Sequence, residues 1–199
     1  MKRVNILIAA AFIAFLSSFT TIDNDKKSFK AKVDTKDSKV EWVGEKVTGK
    51  HEGTINIANG QLEVKNKKIV SGSFEIDMNS INVTDLEGEY KQKLEGHLKS
   101  DDFFGVNNHS KAKFVITKAV SQGRDKYKVS GDLTIKGITN KIEFPATVKI
   151  EGERVTALAK ITIDRTKFNI KYGSGSFFDN LGDKTIYDEF KLDVTLITE

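Results

Sequence analysis

The chain has 199 residues, 38% hydrophobic and 30% charged, which suits one globular domain with a real core. Its formal charge of +4 includes Lys2 and Arg3, the only charges in the first 20 residues, so the remainder carries +2, too little to point to nucleic acid. With no cysteine, neither a disulfide nor a lipid-modified cysteine anchor is expected.

Residues 1–20 read as a secretory signal peptide: the cationic pair Lys2 and Arg3, an apolar run from Val4 to Leu16, then small residues at Ser17 and Ser18. A retained membrane anchor is the alternative, but about 13 apolar residues fall short of the roughly 20 needed to span a bilayer. A periplasmic or secreted protein is therefore expected after cleavage. Residues 21–36, polar and rich in Lys and Asp, read as a flexible lead-in, and residues 37–199 as the folded domain.

Val40, Trp42 and Val47 open a strand that Gly49 to Gly53 turns. Ile55 and Ile57 continue with period two up to Asn59-Gly60, a favoured hairpin turn, and Leu62 and Val64 make a short return ended by Lys65 to Lys68. Val70, Phe74, Ile76 and Met78 form a longer strand. Such alternation means one wet and one dry face.

The stretch from Asn82 to Phe104 breaks the alternation and reads as a helix over Asp85 to Lys99. Thr84 and Glu87 have the spacing of a capping box, and Asp85 adds negative charge at the helix start. Leu86, Tyr90, Leu94 and Leu98 recur every four residues as an apolar stripe. Ser100, Asp101 and Asp102 end the helix, and Phe103 and Phe104 suggest a plug folded back beneath it.

Alternation resumes at Ala112, Phe114 and Ile116, and Ser121 to Arg124 turns the chain into Tyr127, Val129, Leu133 and Ile135. Gly131, at an inward position, lets strands coil or leaves room inside. Lys136-Gly137 turns into Ile142, Phe144, Val148 and Ile150; Gly152-Glu153 turns into Val155, Ala157, Ala159, Ile161 and Ile163. A glycine-rich loop from Tyr172 to Gly182 precedes a last strand through Ile186, Phe190, Leu192, Val194 and Leu196.

About eight or nine strands joined by short turns favour an all-β, up-and-down antiparallel sheet, which at this size closes rather than leaving two long edges exposed. A barrel of about eight strands holds either packed side chains or one slender ligand. Inward residues as small as Gly131, Ala157 and Ala159 favour a cavity, although a taper packed small against large gives the same pattern.

Four segments resemble the bacterial YceI-like family of lipid-binding proteins with a lipocalin-like shape. They are Gly49-Lys50-His51-Glu52-Gly53, the run His97 to Phe104, the run Gly131 to Thr139, and Asp164 to Ile170, and the likeness covers most of Asp34 to Glu199. The resemblance implies an extended antiparallel barrel of about eight strands, a helix near one end, and an apolar tunnel holding a polyisoprenoid chain. It also implies a periplasmic or secreted protein. Two departures stand out: Asn107-Asn108-His109-Ser110 lacks the proline usual before Phe114, and Asn169 stands where glycine is common.

The chemistry points the same way. His51, His97 and His109 are far apart in sequence without ligand spacing, and without cysteine a zinc site would need carboxylates as well, so no metal site is expected. His97, Ser100 and Asp101 invite a hydrolase reading, but these residue types also cap helices and no G-x-S-x-G elbow occurs. Gly173-Ser174-Gly175 lacks the strand and helix of a phosphate loop and reads as a rim. Arg165 suits a polar head group or an ion pair with Asp132 or Asp164.

The tunnel lining is assigned to Trp42, Phe74, Ile76, Met78, Leu94, Leu98, Phe103, Phe114, Ile116, Leu133, Ile135, Phe144, Ile161, Ile163, Phe168, Ile170 and Phe177, and the head group to Arg165, His51 and His97. The expected role is carriage or storage of an isoprenoid lipid, a polyprenyl chain or quinone, without catalysis or cofactor. The rival readings are a hydrolase working through His97 or His51 and a packed barrel serving as an interaction module. Transient membrane contact for lipid exchange is expected, and a homodimer is left open. The helix and the loop Tyr172 to Gly182 are expected to control the opening.

Overall fold

A computed structural model describes residues 28–199; the expected signal peptide and the first part of the lead-in lie outside the described residues. The strands are β1 (Ser28–Lys32), β2 (Lys39–Lys46), β3 (Gly49–Lys65), β4 (Lys68–Val83), β5 (Lys111–Ser121), β6 (Lys126–Ile135), β7 (Ile138–Glu151), β8 (Arg154–Asp164) and β9 (Ile186–Ile197). Helix α1 (Gly88–Lys99) joins β4 to β5, and a 3-10 turn, Arg165–Phe168, follows β8. All neighbours pair antiparallel, and β3–β4 pairing closes β2 to β9 into an eight-stranded barrel.

β1 corrects the flexible lead-in. It pairs Ser28 with Lys65 through Lys32 with Gln61, on the same edge of β3 that β2 occupies over Gly49 to Ile55. Alternate residues explain the ordering: Ala31 and Val33 are buried in the core cluster that holds Leu62, Val64 and Val155, and Val33 bridges to Thr198. Together β1 and β2 act as one long strand broken at residues 34–38.

Two expected turns lie inside β3. The chain reverses at residues 47–48, before Gly49, and at Asn66-Lys67, where both φ angles are positive (53° and 57°), as a two-residue hairpin demands. Asn59-Gly60 has turn chemistry but forms part of a bulged strand: the register shifts between Ile57 and Asn59. A second shift near Val64 turns Val70 outward, although Phe74, Ile76 and Met78 face in. The expected turns at Lys136-Gly137 and Gly152-Glu153 are where the chain reverses.

The helix begins later than its capping box implied. Thr84 N–H and hydroxyl both donate to Glu52 O, and Asp85 accepts from Glu52 N–H, so these residues satisfy the part of β3 that runs past β4. Glu87 is left as an N-cap without a side-chain hydrogen bond. No residue of α1 is fully buried, and Tyr90 is 76% exposed, so the four-residue stripe is not a core face. Polar ties hold the helix on the barrel rim: Glu95 accepts from Val83 N–H at 2.9 Å, and Lys91 donates to Asn82 at 2.8 Å.

Candidate functional site

The inward face of every barrel strand contributes to a continuous cavity of about 270 Å³. A water or a carbon takes about 25–30 Å³ of such space, so it offers about ten places of the size of a water or a methylene, roughly two five-carbon units. Its width comes from three neighbouring alanines: Ala146 pairs with Ala159 across β7–β8, and Ala157 stands two residues before Ala159 on the same face of β8. Gly131 does not add to this room. The Phe114 ring lies directly over it, so the missing side chain makes space for an aromatic rather than for a ligand. The Phe114 ring is stacked with Phe74 (6.3 Å) and tilted by 45° against Phe144 (5.5 Å).

Of the residues assigned to the tunnel, Trp42, Phe74, Ile76, Met78, Leu98, Phe103, Phe114, Ile116, Leu133, Ile135, Phe144, Ile161 and Ile163 border the cavity. Leu94, Phe168, Ile170 and Phe177 do not. Leu94 sits higher on α1, from which Leu98 reaches inward. Phe168 and Ile170 are wholly buried in a cluster with Ile163, because the 3-10 turn and Asn169, at φ 59°, fold them beneath the rim. That left-handed conformation suits glycine and is tolerated by asparagine, which accounts for Asn169 at this position. Phe177 is 47% exposed outside the barrel, with Lys171 Nζ 4.5 Å above its ring.

The helix end of the cavity is closed mainly by rings. Phe103 and Phe104 follow α1 on a chain that folds back through bonds from Phe104 N–H to Leu98 O and Val106 N–H to Lys99 O, and both border the cavity. The expected plug is present. Phe104 meets Phe190 edge-on at 6.3 Å, and Phe103 lies 5.9 Å from Tyr172.

Beside this plug the wall is interrupted. Gly44 pairs with Phe190, but the next β2–β9 pair is Lys46 with Ile186, so Glu45 faces the three residues Tyr187 to Glu189. Glu45, Tyr187 and Glu189 thereby reach the cavity, and a Cβ added to Gly44 would meet nothing within 4 Å. Alternation predicts regular strands here, so these residues escaped the sequence reading; a bulge carries no period-two signal.

Arg165 borders the cavity but its donors point elsewhere. It is 3% exposed, and Nε, Nη1 and Nη2 donate to Tyr187 O, Ile170 O and Ile186 O at 3.1, 2.8 and 2.9 Å. Its acidic neighbour is Asp188, 3.6 Å away, rather than the expected Asp132 or Asp164; Asp164 instead caps Thr166. The guanidinium also lies 5.6 Å from the Phe103 ring centre. Burial raises the Asp188 pKa, but the neighbouring Ser174 and Ser176 hydroxyls and Arg165 outweigh it and hold the carboxyl below its ordinary value. Arg165 thus ties β9 to the 165–170 turn; its chemistry at the mouth is a positioning one.

The two histidines assigned to a head group do not border the cavity. His51 Nδ1 lies 2.8 Å from Asp85 on the outer surface. Burial raises the Asp85 pKa, yet the Glu52 N–H and His51 lower it on balance. The His97 ring packs edge-on against Tyr172 (4.4 Å) and Phe103 (5.1 Å). The Ser100 hydroxyl donates to the His97 backbone carbonyl at 2.8 Å, a helix cap and not a nucleophile meeting a base.

Comparison with known proteins places this geometry. A family model described as a YceI-like domain matches residues 32–197. A UPF0312 protein of Staphylococcus aureus (strain USA300) is 45% identical over 85 residues, 39% of this chain and 47% of that protein, so the match spans about half the length of that curated relative. A UPF0312 protein of Vibrio campbellii is 28% identical over 138 residues, covering 64% of this chain and 69% of its own. Among solved structures, Burkholderia cenocepacia BcnA superposes with a TM-score of 0.69 at 26% identity, covering 84% of this chain and 99% of BcnA. A polyisoprenoid binding domain from Saccharophagus degradans, implicated in plant cell wall breakdown, superposes at 0.61 and 17% identity, covering 87% and 99% of the two chains.

Proposed function

This chain belongs to the YceI-like domain family, and on that premise we propose that it binds an isoprenoid lipid in its barrel, carrying or storing it without catalysis. The observation that carries the reading is the apolar cavity running through the barrel. Each methylene moved from water into such a space is worth about 0.8 kcal/mol, so about ten carbons supply a gross gain of about 8 kcal/mol. Ordering the chain and losing its free motion offset part of this, and the remainder supports binding with few polar contacts. The fold shared with the Saccharophagus degradans polyisoprenoid binding domain supports the choice of ligand class.

The polar groups at the opening are Glu45, Glu189 and Tyr187, with Arg165 already occupied by carbonyls. They suit a head group left at the mouth rather than drawn inside. Exchange takes place with a membrane, and the protein works after export to the periplasm or outside the cell. Mass spectrometry of an organic extract of the purified protein tests the reading. One isoprenoid species near one per chain is expected; an extract without apolar ligand, from a protein that also fails to take up added polyprenol or quinone, refutes it.

A further inference from the structure

The barrel end that carries the interruption between β2 and β9 also carries a group of exposed apolar side chains. Tyr172, Phe177, Phe178, Tyr187 and Val47 are each about half exposed. Hydrogen bonds make them one surface: Val47 N–H donates to Thr185 O, Ile186 N–H to Gly173 O, Phe177 and Phe178 N–H to Ser174 O, and the Ser176 hydroxyl to Asp188. Apart from Tyr90 on α1, the other large exposed apolar residues among the described residues are Val70, Val120, Ile138 and Leu158, single positions on separate strands. Scattered residues of that kind need no explanation, whereas a patch beside a lipid opening does.

We propose that this aromatic rim docks on the surface of a zwitterionic lipid bilayer and sets the mouth of the cavity against it, so that ligand passes without crossing water. The proposal rests on the lipid-carrier reading and names where that carrier meets its source. Aromatic side chains bury about 150–250 Å² each, so four half-exposed rings and a valine offer about 450 Å², roughly half of the 800 Å² per partner in a stable protein interface. That area is small for a second copy of the chain but enough for rings to enter a headgroup layer, where amphipathic aromatics sit favourably.

Charge selects the kind of membrane. Glu45 is paired with Lys191 and Asp188 with Arg165, which leaves Lys46, Lys171 and Lys184 against Asp179, Asp183 and Glu189 around the patch. A rim whose charges balance gains little from anionic lipid, and its attachment is driven by area rather than by salt-sensitive attraction. Lys171, lying over the Phe177 ring, fits the same setting: its stem covers the aromatic and its ammonium can reach the headgroups. Tyr187 belongs to both features, half exposed on the rim and bordering the cavity, so the docked surface and the passage are continuous.

The test uses the full chain with phosphatidylcholine vesicles, comparing wild type with F177S/F178S, two positions that do not border the cavity. Hydrogen exchange is followed peptide by peptide, and transfer of the bound lipid to acceptor vesicles is timed. Expected are slower exchange within residues 172–187 of the wild type when vesicles are present, at low and high salt alike. In the variant, transfer slows by about tenfold or more, while melting temperature and ligand content are unchanged. Unchanged exchange across 172–187 overturns docking, and retained ligand in that sample leaves the carrier reading standing. Protection that needs anionic vesicles and vanishes in salt, or a dimer that F177S/F178S abolishes, also overturns it.

Discussion

Replacing Ala159 by phenylalanine distinguishes a hollow barrel from a packed one. Ala159 borders the cavity beside Ala146 and Ala157, where no large side chain faces it from its own strand pair. Phenylalanine adds six heavy atoms, more than half of the roughly ten places available, and at about 0.8 kcal/mol each the ligand loses about 5 kcal/mol of gross transfer energy. Affinity for a long isoprenoid falls by roughly three decades. In the ligand-stripped protein the same ring fills empty space and gains about 1.5–3 kcal/mol, raising Tm by several degrees, since about 1 kcal/mol shifts a domain of this size by 2–4 °C. In a packed core the substitution would instead cost about 1–3 kcal/mol. Calorimetry of stripped protein and quantification of extracted lipid read the two effects together. An A159F variant that melts lower and keeps its full lipid content refutes the hollow-barrel reasoning.

Arg165→Lys removes the planar fork that serves three carbonyls and leaves them and Asp188 short of donors; a loss of about 3–5 kcal/mol by denaturant unfolding is expected, little better than Arg165→Met. Asp188 has a depressed pKa in the folded protein, so its contribution is present above the ordinary carboxylate value of about 3.9 and is lost as pH falls through the lower folded value. The protection factors of residues 171–188, taken relative to the intrinsic exchange rate at each pH, therefore fall below about pH 4 in the wild type, and Asp188→Asn removes that acid dependence. Gly131→Ala drives a methyl into the Phe114 ring and destabilises the barrel by about 1–3 kcal/mol, and Phe114→Leu in the same chain recovers part of it, a coupling visible in a double-mutant cycle.

The barrel was readable because one-sided burial imposes period two, and Phe114, Ile116, Tyr127, Val129, Ile161 and Ile163 obey it without interruption. Where the period is broken, the reading slipped. Asn59-Gly60 carries the residues of a tight hairpin, but β1 and β4 flank it, and two partners outweigh a local turn preference. Thr84 and Glu87 spell a capping box, yet unpaired groups of β3 claim Thr84 and Asp85 first. Residues 28–32 look like a polar tail because β1 is an added strand with few inward positions. Phe177 was placed inside on hydrophobicity alone, and nothing in its neighbours marks the outer rim. Arg165 kept two readings open because its partner, Asp188, is distant in sequence and shares no period with it.

Alternating side chains and turn residues determined by themselves that this chain folds as an antiparallel barrel, since those preferences act between near neighbours. The four segments of family likeness carried the lipid expectation on the same local footing. Only the tertiary structure decided which inward residues face open space: the Phe114 ring takes the room at Gly131, whereas the room at Ala146, Ala157 and Ala159 stays free. It alone placed the bulge between Gly44 and Lys46 that brings Glu45, Tyr187 and Glu189 to the cavity. Cavities and gaps are what remains after distant side chains have packed, and no residue encodes a volume that its neighbours across the barrel have yet to fill.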